Sequence, residues 1–349
     1  MQIIAIIKTF FLASAGGVVF YFLHVPLAWM LGPITVVVLW TQVCKRTVYW
    51  PVELRQTALI FLGYVIGSAF TAEAARQVAA QLPVMLAVTL SILLVSLVCG
   101  YVTHRQAGIS LATGLMGSVP GGFSQMVLLS EEIEDADMSI VSFMHTVRLL
   151  SVVFVVPYLA AQAAGSAILP AGRAATPVGY SLFAPVTPDT LPLLAIAFAS
   201  AFIAKKIFVP TPFLLGPILG TALVSMNGIH CPSLPAWLTI LAQIAVGTYM
   251  GYGIQLASLT RWRILLASTM LGVAVVIAMS LAVGYFMSSY YGYSNVTAFL
   301  SMAPGGVAEM SVTGIALHAD LSVIASYQLF RLFFIMLLTP AMFRFWLKR

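Results

Sequence analysis

The chain carries one signature twice, at positions 184 residues apart, Pro120 to Pro304. VPLAWMLGPI at 25–34 aligns with VPTPFLLGPI at 209–218, and Gly63 and Gly67 align with Gly247 and Gly251. Pro120-Gly121-Gly122 meets Pro304-Gly305-Gly306, and Met126 meets Met310. After a one-residue slip, Ala136-Asp137 meets Ala319-Asp320, His145 meets Gln328, Arg148 meets Arg331 and Pro157 meets Pro340. Chance likeness between apolar segments does not reproduce Pro, Gly, Asp and Arg together, so the chain is a tandem duplication. It divides into a first repeat (1–161), a polar linker with Gly and Pro (162–189) and a second repeat (190–349).

Each copy has to fold in a membrane. The chain is 61% hydrophobic and 7% charged, against roughly 25% charged in a soluble domain. Its mean hydropathy is +1.03, and apolar windows long enough to span a bilayer recur from end to end. The fold class expected is an all-α polytopic membrane protein. The net charge of +6 is scattered in ones and twos over short loops, where it serves as a topology signal and not as a nucleic-acid surface. Cys44, Cys99 and Cys231 form no C-x-x-C pair and imply neither zinc nor a disulfide framework. Lys8, an apolar run and ASA at 13–15 imitate a cleaved leader. Residues 10–34 nevertheless have an internal counterpart at 194–218, so they read as the first membrane segment.

Six apolar segments occupy each half, near 3–23, 26–43, 54–72, 82–103, 108–131 and 138–161, then 190–208, 211–228, 236–255, 264–287, 294–315 and 321–343. If all crossed, the halves would be parallel, with eight flanking basic residues inside and five outside. If the Pro-Gly-Gly segment of each half enters and leaves by one face, each half has five spans and the second is inverted. Eleven basic residues then lie inside and only Arg76 and Arg173 outside, as the positive-inside rule favours. The same split results if the sixth segment fails to cross; the fifth is preferred because its break is central. The expectation is two inverted repeats, each of about five spanning helices plus a re-entrant or discontinuous segment. Both termini then face the cytoplasm of a bacterial plasma membrane.

Unpaired backbone groups in hydrocarbon cost several kcal/mol each, so a helix breaks only where protein or a watery cavity surrounds it. Pro120 is expected to begin the half-helix that follows, where its missing N–H costs nothing. Gly121 and Gly122 admit close approach, and the half-helix N-terminus offers free N–H groups and a positive dipole end. Corresponding broken segments of inverted repeats form the substrate sites of many transporters. The plain alternative is a bend or a close helix contact; two copies at matched positions favour a site. Arg148 and Arg331 fall near the middle of the two sixth segments, where a guanidinium must face protein, water or an anion. His145 and Gln328 each precede the arginine by three residues, on the same helix face. Glu309 stands in the first turn after the second break, with Gln125 as its counterpart.

Two readings of these groups stay open. One is a structural ion pair, Glu309 with Arg331 for instance. In the other, Arg148, Arg331 and the residues of both Pro-Gly-Gly breaks bind an anionic substrate, and Glu309, with His145, carries a coupling proton. Asp137 and Asp320, each just before an apolar run, are expected to cap the sixth helices. The acidic run EEIEDAD (131–137) reads as a solvated loop. No H-x-H, H-E-x-x-H, G-x-S-x-G or Walker motif is present. The expectation is therefore of no enzyme, no catalytic residue, no metal and no cofactor.

The LGP pairs (31–33, 215–217), the PGG…M runs (120–126, 304–310) and the AD…R spacings (136–148, 319–331) resemble the membrane AbrB-like duplication family of bacterial proteins, over almost the entire chain. Its members carry labels such as ammonia monooxygenase or AbrB-type regulator, and it is distinct from the small soluble DNA-binding AbrB proteins. The resemblance implies an inverted-repeat carrier fold related to cation/proton antiporters and anion transporters. The monooxygenase label implies copper or iron ligands, for which the sequence offers no cluster. The regulator label implies an indirect influence on gene expression. The function expected is secondary active transport of a small anionic organic solute, with H+ as a candidate coupling ion. The alternative is a membrane receptor or regulator that moves nothing. The bilayer is a partner, nucleic acid is not, and a homo-oligomer is compatible with either reading.

Overall fold

Long apolar runs without two-residue alternation wind into helix. A computed structural model describes residues 2–121, 123–164, 190–253 and 262–347; most of the linker, Gly122, Arg261, Lys348 and Arg349 lie outside them. The described residues form α1 (Gln2–Phe22), α2 (Ala28–Val38, prolonged by a π turn over Leu39–Val43), α3 (Val52–Ser68), α4 (Ala72–Ala80), α5 (Leu82–Ala107), α6 (Leu111–Ser118), α7 (Phe123–Glu132) and α8 (Met138–Ala163). They continue with α9 (Thr190–Lys206), α10 (Pro212–Met226), α11 (Ala236–Gly253), α12 (Trp262–Tyr291), α13 (Asn295–Met302), α14 (Val307–Ala316) and α15 (Leu321–Leu347). No strand occurs among the described residues.

Helices α1, α5, α8, α12 and α15 are long and apolar enough to cross a membrane. The sequence suggested ten spans; among the described residues these five helices meet the length, and α3 with α4 makes a sixth if that bent pair counts as one span. The stretch expected as one span over 54–72 ends at Ser68, and the chain turns by 86° into α4. That short helix, AEAARQVAA, has no buried residue. Leu27 and Thr211, just before α2 and α10, adopt left-handed backbone, at φ 54° and 44°. At 1.5 Å per residue the 15 residues of α10 cover about 22 Å, short of a hydrocarbon core of about 30 Å.

The chain forms two compact units that interleave the repeats. The first holds Met1–Ala79, Pro157–Ile254 and Ala308–Ala325; the second holds Ala80–Val156, Gln255–Val307 and Ser326–Arg349. The first unit thus gathers α1–α3 and their counterparts α9–α11, and the second gathers α5 and α6 with α12 and α13.

Packing in the first unit is reciprocal. A Cβ on Gly63 would stand 2.7 Å from the Leu214 carbonyl oxygen, and one on Gly247 would stand 2.5 Å from that of Met30. One turn on, Gly67 meets the Ile218 carbonyl oxygen at 2.6 Å and Gly251 meets that of Ile34 at 2.9 Å. Leu214 and Met30 are counterparts, as are Ile218 and Ile34. Helix α3 of the first repeat therefore lies on α10 of the second, and α11 lies on α2. Small residues allow such backbone approach, which drives helix association where lipid removes the hydrophobic incentive. Ile60, Tyr64, Ala197 and Leu234 fill the interior beside α3, and the Tyr64 hydroxyl donates to the Pro232 carbonyl at 2.7 Å. In the second unit, Leu93, Met116, Val119, Met126, Val141, Ile335 and Phe343 form a core around the first break.

Candidate functional site

Both Pro-Gly-Gly sequences interrupt a helix in the same way. Proline disfavours α-helical backbone at the residue before it. Accordingly α6 ends at Val119 (φ −66°, ψ 130°) and α13 at Ala303 (φ −56°, ψ 140°). The Gly121 N–H then turns back to the Val119 carbonyl at 2.8 Å, and the Gly305 N–H to that of Ala303 at 2.9 Å, a three-residue turn centred on each proline. Helix resumes only at Phe123 and Val307. Pro120 and Pro304 therefore end the helix before them and do not begin the one after; at the second break all of Pro304-Gly305-Gly306 is non-helical. At their other ends, α6 and α13 are capped alike: Ser110 Oγ accepts from the Thr113 N–H and Ser294 Oγ from the Thr297 N–H, each at 3.1 Å.

The two arginines are held by the carbonyls that each break exposes. Arg148 Nη1 donates to the Val119 carbonyl at 2.7 Å and, more weakly, to that of Ser118 at 3.5 Å. Its Nη2 donates to His145 Nδ1 at 2.8 Å, and His145 Nε2 donates to the Met116 carbonyl at 3.1 Å. In the second repeat, Arg331 Nη1 donates to the Met302 carbonyl at 3.0 Å and Nη2 to that of Ala303 at 2.8 Å. Nη2 also reaches the Gly305 carbonyl at 3.1 Å and Gln328 Oε1. Gln328 Nε2 donates to the Leu300 carbonyl at 2.7 Å and to that of Ala303 at 3.1 Å. Met116 and Leu300, Ser118 and Met302, and Val119 and Ala303 are counterparts, so one network is built twice.

Its physical logic is plain. The last carbonyls of a helix have no intrahelical partner, and they carry the negative end of the dipole. A guanidinium from the next long helix supplies both hydrogen and charge. The hydrogen-bond pattern assigns His145 the neutral form, accepting at Nδ1 and donating from Nε2. Glutamine offers the same pair of functions through Oε1 and Nε2, which accounts for Gln328 in its place. Both arginines bond the last carbonyls of the half-helices before the breaks.

Arg148 also lines a small cavity, mostly apolar in its exposed lining but with several polar side chains in its walls. Its walls include Pro120, Pro304, Thr103 and Ser96, with Ser268 and Thr269 of α12. About 20 Å³ is open inside, room for one water. Thr269 Oγ1 is buried without a hydrogen-bond partner among the described residues, and such an orphan in a cavity wall marks a place where a polar guest belongs. Arg331, only 5% exposed, is not among the lining residues. The polar residues of α5 and α12 escaped the sequence reading, since serine and threonine are common on membrane helices and nothing local marked these.

The remaining candidates lie as follows. Asp137 Oδ1 accepts from the Ser139 and Ile140 N–H groups at 2.8 and 3.1 Å. Asp320 Oδ1 accepts from those of Ser322 and Val323 at 2.9 and 3.3 Å, so each carboxylate sits at the start of its long helix. Glu309 occupies the first turn of α14, within the first unit. Gly122 and the side chain of Gln125 lie outside the described residues. Glu132, read as part of a solvated run, pairs with Arg344 at 3.1 Å. Among the described residues, no three His, Cys, Asp or Glu side chains gather as a metal would require.

A family model described as "Transition state regulatory protein AbrB" matches residues 29–347. The chain belongs to the AbrB family. Among its relatives, "Putative regulator AbrB" of Escherichia coli (strain K12) is 28% identical over 332 residues, covering 93% of this chain and 92% of the relative. "Uncharacterized protein YhjN" of Bacillus subtilis (strain 168) is 31% identical over 268 residues, covering 73% and 68%. This AbrB-family chain is thus a helical protein with several membrane-length apolar helices, matched along nearly its whole length.

Proposed function

We propose that the protein is a secondary active transporter of a small anionic organic solute, residing in the plasma membrane with both termini cytoplasmic. The observation that carries this reading is the shared cavity. Two prolines from duplicated helix breaks, one guanidinium and an unsatisfied threonine hydroxyl line a single small space. Breaks of this kind are tolerated in a membrane where they serve a cavity, and paired broken helices are how inverted-repeat carriers build their sites. A volume of about 20 Å³ is too small for an organic solute, so binding requires the walls to separate. Alternating access demands such separation. Glu309 is the coupling carboxylate in this scheme, with H+ as the ion, and no chemical reaction is catalysed.

The printed names of the family and of the Escherichia coli relative favour a second reading: a membrane receptor that binds the same class of ligand and acts on gene expression indirectly. Both readings require an anion site, and only the first requires flux. Detergent-purified protein is therefore screened by thermal shift against small carboxylates, phosphates and sulfonates, with Arg148→Ala beside the wild type. A ligand that stabilises the wild type and not Arg148→Ala supports the site. Its accumulation or exchange in proteoliposomes then separates transporter from receptor. Absence of any anion response in the wild type overturns both.

A further inference from the structure

We propose that the first repeat carries a binding site for one anionic glycerophospholipid, built from the start of α1, the end of α2 and the groove between α1, α3 and α11. The cationic half is a concavity of about 790 Å³ lined by Lys8 of α1 and by Lys45 and Arg46 just beyond α2, with no carboxylate among its lining residues. All three cations are exposed. Trp40 and Tyr49 complete the wall, and the Arg46 guanidinium lies over the Trp40 ring at 5.3 Å. Basic residues with tryptophan and tyrosine are the composition of a membrane–water interface on the side that carries anionic headgroups. The segment is pinned: the Tyr49 N–H donates to Thr9 Oγ1 at 3.4 Å, and Thr9 Oγ1 donates to the Ala5 carbonyl at 2.9 Å.

The apolar half adjoins it. A groove of about 540 Å³ is lined by Trp50, Leu54, Phe61 and Leu241, and its other wall is Ile7 and Phe11. Those two residues also line the basic concavity, so headgroup pocket and groove share one ridge of α1. Leu54, Thr57, Ala58 and Phe61 line the groove at helical spacing, a stripe about 10 Å long. A phosphodiester over the cations with an acyl chain in the groove satisfies both halves, which neither a free anion nor a neutral lipid does.

The duplication supplies a control within the chain. The counterparts of Lys8, Lys45 and Arg46 are Pro192, Ile229 and His230. Topology signalling explains basic loop residues in either repeat. It does not explain why Lys8, inside a membrane helix, joins two loop cations beside an apolar groove in one repeat alone.

The test is native mass spectrometry of the full chain, released from micelles containing phosphatidylglycerol or phosphatidylcholine, with inorganic phosphate as a third arm. One phosphatidylglycerol is expected to stay bound, in preference to phosphatidylcholine. The combined Lys8→Ala, Lys45→Ala, Arg46→Ala variant changes only exposed side chains and should lose retention about 100-fold, from about 1 kcal/mol or fivefold per cation near an anionic surface. Leu241→Trp, which fills the groove and leaves the cations, should lose it as well. Equal retention of the two lipids overturns the proposal. So does undiminished retention in the triple variant, or displacement of the lipid by inorganic phosphate with Leu241→Trp unaffected.

Discussion

A neutral imidazole and a primary amide can each accept a hydrogen bond from a guanidinium while donating one to a backbone carbonyl a few ångströms away. His145 and Gln328 do this beside Arg148 and Arg331. If the bridge is what matters, His145→Gln should leave thermal unfolding in detergent within about 1 kcal/mol of the wild type. His145→Leu leaves a buried carbonyl unpaired and should cost about 1–3 kcal/mol. The same melts test Arg331→Lys. A lysine ammonium is a point charge and cannot bridge three carbonyls and an amide as the planar guanidinium does, so a loss of about 1–3 kcal/mol is expected. Asp137→Ala removes two backbone hydrogen bonds from the first turn of α8 and should cost about 1 kcal/mol.

At the scale of the element, the broken helices and the reciprocal glycine contacts decide the architecture. Gly63→Ala and Gly247→Ala each place a methyl group within 2.7 Å of a carbonyl oxygen on a helix from the other repeat. Each should destabilise by about 1–3 kcal/mol, and by similar amounts because the contacts are counterparts; chemical unfolding of the purified variants checks both. The breaks were legible in the sequence because proline and glycine act through their own backbone and leave a local mark. Much of the rest was not. The carbonyls that hold Arg148 lie about thirty residues earlier in the chain, and only the folded packing of α8 on α6 brings them within reach. Helix α4 falls between two apolar segments, where its short amphipathic run leaves no mark on a hydropathy average. The end of α2 gave no warning either, because a π turn has no composition of its own.

For the whole molecule, duplication was readable from spacing but interleaving was not. Repeats reveal which segments are alike and are silent on which will be neighbours. Because each compact unit draws on both halves, a half-chain should lack the partners it needs. Residues 1–164 or 190–349 expressed alone should be degraded, whereas the two co-expressed should yield an assembled, chromatographically monodisperse protein. That arrangement also sets a schedule for biogenesis. The Gly63 face of α3 waits for Leu214, about 150 residues further along. At 5–20 residues per second the ribosome takes roughly 8–30 s to deliver it. Throughout that interval α3 shows lipid a glycine-lined surface shaped for another helix. The nascent chain therefore depends on whatever shelters unfinished helices beside the insertion machinery, and a stalled ribosome leaves a fragment that quality-control proteases can recognise by that surface.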